Sequence, residues 1–121
     1  MLLLALSPAP GFGQTANKVE SQVAQEIAQC MVEGPPPDWT RLYMIIELPE
    51  PNAASGRTRY VADRDFSPDP VAYKPCDSAK PARLLMDARE SLPAERRGWT
   101  GARFVIHRDT GRFDISYDYP R

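Results

Sequence analysis

Residues 99–119, WTGARFVIHRDTGRFDISYDY, constrain the fold more than any other stretch of the chain. Ala102, Phe104 and Ile106 alternate with Arg103, Val105 and His107. Further on, Phe113, Ile115, Tyr117 and Tyr119 alternate with Arg112, Asp114, Ser116 and Asp118. A period of two, apolar on one side and polar on the other, marks half-buried antiparallel strands. Between the two runs, Asp109 and Thr110 suit a type I turn, and Gly111 suits the left-handed position after it. The pattern predicts a hairpin with Phe104 and Ile106 near Phe113 and Ile115.

The rest of the chain must cover the apolar face of that hairpin. Asn17 to Val32 has the helical stripe Val19, Val23, Ile27, Cys30 and Met31. Asn17 and Glu20 have the spacing of a capping box. Gly34 is expected to end the helix in a left-handed conformation, and Pro35-Pro36-Pro37 forbids continuation. Thr40 to Leu48 reads as a strand. Tyr43 and Ile45 make its second face partly apolar, which suits a central position. Arg57 to Asp63 reads as a second strand, antiparallel to the first. Val71-Ala72-Tyr73 can add a short edge strand, because proline is tolerated at edges. Asp77 or Ser78 is expected to cap a second helix with Pro81 in its first turn. Leu84, Leu85, Ala88 and Leu92 form its apolar side. Ala94 to Gly98 reads as a solvated link.

The order α-β-β-(β)-α-β-β lacks the βαβ alternation of a parallel sheet. It predicts an α+β domain over residues 15–121: an antiparallel sheet of four or five strands, with two helices packed on one face. A chain of 121 residues fits one such domain. Residues 1–14 stand apart. Leu2 to Leu6 is a short apolar run, broken by Ser7-Pro8-Ala9-Pro10 and followed by Gly11 and Gly13. That is the look of a signal peptide's end, with cleavage near Gly13 or Gln14. The alternative is a frayed N-terminus of a cytoplasmic protein. No stretch is apolar enough over enough length to span a bilayer, so stable membrane insertion is not expected.

Charge argues against nucleic acid as a partner. Lys plus Arg number 15 and Asp plus Glu 16, for a net charge of −1. The two cysteines, Cys30 and Cys76, are too few for a zinc ribbon and too far apart for a redox pair. Export would make a Cys30–Cys76 disulfide the natural state; retention in the cytoplasm would leave two thiols. His107 is the sole histidine. As a general acid or base it would need an orienting partner, and Asp109 and Asp114 are the candidates. Glu47, Asp114 and Asp118 form the nearest thing to a carboxylate set. There is no phosphate loop and no nucleophile motif. The expectation is a non-catalytic chain without metal or cofactor.

Two blocks resemble the YezG-like immunity proteins of bacterial polymorphic toxin systems. The first runs from Ile27-Ala28-Gln29 to Pro37-Asp38-Trp39-Thr40-Arg41-Leu42-Tyr43: helix, proline, acidic residue, tryptophan, apolar strand. The second comprises Trp99 to Ile106 and Gly111-Arg112-Phe113-Asp114-Ile115-Ser116-Tyr117-Asp118-Tyr119. The resemblance implies a protein that neutralises a cognate toxin by stoichiometric contact. It carries no residue-level site. The expected surface comes from the strand pattern: Glu47, Arg103, His107, Asp114, Ser116 and Asp118 on the open face of the hairpin and its neighbours. An exported domain of the same fold, with another ligand or a structural role in the envelope, is the alternative.

Overall fold

The computed structural model describes residues 17–120, with side chains from residue 21 onward. The leader-like residues 1–14, and the side chains of Asn17 and Glu20 that would form the capping box, lie outside the described part. The elements are α1 (Asn17–Met31), β1 (Trp39–Glu47), β2 (Arg57–Arg64), β3 (Ser67–Ala72), α2 (Lys80–Arg89), β4 (Gly101–His107) and β5 (Phe113–Asp118). The strands form one antiparallel sheet in the order β3-β2-β1-β4-β5. The two helices pack on one face of it. The fold is the α+β architecture expected, with five strands.

β1 is the central strand, as its two-faced pattern predicts. Leu42, Met44 and Ile46 turn inward and are fully buried or nearly so. Their cross-strand partners in β4 are Ile106, Phe104 and Ala102. In β2 their partners are Ala62, Tyr60 and Thr58. Ile27 and Met31 of α1 and Leu85 of α2 close over this layer, and Trp99 seals its end. Each fully buried side chain of this size stabilises the fold by about 1.5–3 kcal/mol. In the hairpin, Phe104 stands opposite Ile115 and Ile106 opposite Phe113, and the Phe104 and Phe113 rings stack with centres 5.5 Å apart. Gly111 has φ +70°, the left-handed turn position predicted for it.

The helices are joined covalently. Cys30, buried near the end of α1, is bonded to Cys76, just ahead of α2. The Cys76 N–H also donates to the Cys30 carbonyl at 2.9 Å. Tyr60 reaches across from the sheet, its hydroxyl donating to the Ser78 carbonyl at 2.8 Å. Burial pushes the Tyr60 phenol up to about 12. Tyr73 meets it edge-on and is raised too, again by burial.

Four local expectations are corrected. Gly34 is not left-handed; among the described glycines only Gly111 has positive φ. Glycine is needed at 34 because the chain passes Lys74 there: a Cβ would fall on the Lys74 carbonyl oxygen. The N-cap of α2 is Ala79, with no side-chain cap. Asp77 spends its carboxylate on the Ala79 N–H instead, in a local turn. The edge strand starts earlier than predicted, at Ser67, and includes Pro68 and Pro70. The link at Ala94 to Gly98 is not simply solvated: Ala94–Arg96 forms a 3-10 turn, and Arg97 is half-buried.

Candidate functional site

Strand alternation places two populations of side chains on opposite faces. The inner face meets the helices. The outer face carries no other element among the described residues, and the register arranges it in rows. Arg57, Glu47, Gly101 and Asp118 form one row across β2, β1, β4 and β5. Next come Arg59, Ile45, Arg103 and Ser116, then Val61, Tyr43, Val105 and Asp114. Asp63, Arg41 and His107 form the last. All six residues expected to form a surface (Glu47, Arg103, His107, Asp114, Ser116 and Asp118) therefore share one face. Glu47 and Asp118 are not neighbours: Gly101 stands between them. Gly101 leaves room for the Asp118 carboxylate, which a Cβ there would meet at 3.1 Å.

The middle of this face is apolar, which pattern reading noticed only for Tyr43 and Ile45. Val61 and Val105 flank Tyr43 on either side, and all four are half-buried without a layer above them. The signal was present in the sequence, since both valines occupy outer positions of their strands. Their meeting across β1 depends on register, which the sequence does not display.

Charges ring this strip. The Tyr43 hydroxyl donates to Asp63 at 2.8 Å, and Arg41 lies 3.7 Å from the same carboxylate. Burial raises the Tyr43 phenol, and the bonded Asp63 carboxylate raises it further. His107 Nε2 is 3.2 Å from Asp114 Oδ2. Arg57, Arg59 and Arg103 make no ion pair among the described residues. Around the strip, β2 contributes Arg57, Arg59 and Asp63, and β5 contributes Asp114 and Asp118.

A concavity of about 730 Å³ opens at the end of the sheet, bordered by Asp38, Trp39, Arg41, Asp65, His107 and Arg108. Two of its charged groups, Arg108 and Asp38, are committed to the fold. Arg108 Nη1 donates to the carbonyls of Pro37 and Trp39 at 2.6 and 3.0 Å, with its guanidinium 5.2 Å from the Trp39 ring centre. Arg64 Nε donates to both Asp38 oxygens at 2.9 and 3.1 Å. That contact is the main reason the Asp38 carboxyl is held below its usual value of 3.8.

The His107–Asp114 pair has a base and an orienting carboxylate, but no hydroxyl or thiol among the described residues is bonded to His107. No group of three or more His, Cys, Asp or Glu among the described residues is placed to hold a metal ion. No described helix is long and apolar enough to cross a membrane. No protein-family model matches the chain, and no curated protein matches it.

Proposed function

We propose that this chain is a small non-catalytic binding protein that neutralises a cognate bacterial toxin by direct contact, as its resemblance to YezG-like immunity proteins implies. The observation that carries the reading is the composition of the outer sheet face. An apolar strip of Val61, Tyr43, Ile45 and Val105 is surrounded by arginines and carboxylates, and Arg59 and Arg103 beside it make no ion pair among the described residues. An apolar centre with a charged rim is the make-up of a protein-binding patch, and Tyr and Arg are frequent binding hot spots. Glu47, Ser116, Asp114, Asp118 and His107 belong to the rim.

The test is co-expression with the toxic domain encoded beside its gene, scored by growth. Protection that is lost on Tyr43→Ala with Arg103→Glu supports the reading. Absence of protection by the parent chain overturns it.

One observation favours a second reading. The Cys30–Cys76 bond belongs in an oxidising compartment. Together with the leader-like residues 1–14, it supports export, and a ligand or structural role in the cell envelope. Fractionation of the native host with a thiol count separates the two: a periplasmic protein without free thiols supports export, a cytoplasmic one with two thiols overturns it.

A further inference from the structure

The two edges of the sheet are built differently. At β3, Pro68 and Pro70 remove backbone donors, a common protection against strand pairing. β5, at the other edge, has no proline in Phe113–Asp118. The His107 N–H donates to the Arg112 carbonyl. In an antiparallel ladder this fixes the alternation: the backbone groups of Asp114, Ser116 and Asp118 point at β4, and those of Phe113 and Ile115 point outward.

We infer that β5 pairs antiparallel with β5 of a second copy, on a two-fold axis at Ile115, giving a continuous ten-stranded sheet. The argument is self-complementarity in a single register. With Ile115 opposite Ile115 of the partner subunit, Arg112 falls opposite the partner's Asp118, and the reciprocal pair forms by symmetry. Asp114 falls opposite the partner's Ser116. On the inner face, Phe113 falls opposite the partner's Tyr117. Phe113 already stacks on Phe104, and Tyr117 lies 5.4 Å from the Trp99 ring, so the aromatic layer continues across the axis. Neighbouring registers that use the same outward groups are repulsive. Shifting one way sets Asp114 against the partner's Asp114, and shifting the other sets Asp114 against the partner's Asp118. The pairing would also bring the outer-face residues of β4 and β5 from both copies to the centre of one surface. It does not depend on toxin binding.

The test is molar mass in solution over a concentration series, with folding checked by circular dichroism. Arg112 and Asp118 are exposed and suit substitution without unfolding. The parent should reach twice the mass of the chain. Arg112→Asp alone should return it to a monomer, and so should Asp118→Arg alone. The double variant Arg112→Asp with Asp118→Arg should dimerise again. A parent that stays monomeric, assembles beyond a dimer, or dimerises more tightly as Asp118→Arg, overturns the proposal.

Discussion

His107 Nε2 lies 3.2 Å from Asp114 Oδ2, diagonally across the β4–β5 ladder. The side chains are 32% and 62% exposed. Water competes for both, so the contact contributes at most about 1 kcal/mol. Asp114→Asn and His107→Gln should each leave the denaturant midpoint nearly unchanged. A midpoint shift equivalent to several kcal/mol would show the pair to be structural. His107 and Asp114 are therefore suitable positions for binding experiments on this face.

The Cys30–Cys76 bond should have the opposite weight. It closes a sequence separation of 46 residues. Restricting the unfolded chain over that length is worth about 4 kcal/mol. Cys30→Ala with Cys76→Ala should lower unfolding free energy by about that amount, measured in guanidinium. Equal stability of the oxidised parent and the double variant would contradict this.

Gly34 and Gly98 form a matched pair for a steric test. A Cβ at Gly34 would collide with the Lys74 backbone, whereas a Cβ at Gly98 meets nothing within 4 Å. Gly34→Ala should destabilise by about 1–3 kcal/mol, because backbone must move. Gly98→Ala should stay within about 0.5 kcal/mol of the parent. Thermal midpoints of the two variants decide it.

Asp38 should show the acid limit of the Trp39 end of the sheet. Its carboxyl is held below 3.8 in the folded protein, chiefly by the Arg64 hydrogen bonds. A lowered folded value stabilises the protein above the unfolded value of about 3.8 and loses that contribution as pH falls through the folded one. The carboxyl carbon of Asp38 should titrate below 3.8 by NMR, and Arg64→Gln should move it upward. An unchanged titration in Arg64→Gln would refute the assignment.

The legible parts of this fold are those written in adjacent residues. The hairpin turn at Gly111 and the central place of β1 follow from local alternation and from Tyr43 and Ile45 on its second face. The illegible parts are meetings between distant segments. Gly34 looks like a helix terminator because the sequence does not show Lys74 arriving beside it. Arg89, at the end of α2, is buried with its guanidinium 5.7 Å from the Trp99 ring centre, a meeting that no local pattern displays. The candidate surface divides the same way. Period-two spacing puts Glu47, Arg103, His107, Asp114, Ser116 and Asp118 on outer positions, but the apolar row of Val61, Tyr43 and Val105 exists only through register.

The strand order has a kinetic consequence. β1, β2 and β3 form a meander whose ladders join neighbours in sequence, and β4 with β5 is a hairpin. Each can form by closing short loops. The β1–β4 ladder alone joins them, pairing Leu42 with Ile106 and Met44 with Phe104 across some sixty intervening residues. Loop-closure entropy makes such a pairing the slow one. The seam at Met44 and Phe104 is then where two locally closed parts become one cooperative molecule, and substitutions there should slow folding more than equal losses in either part.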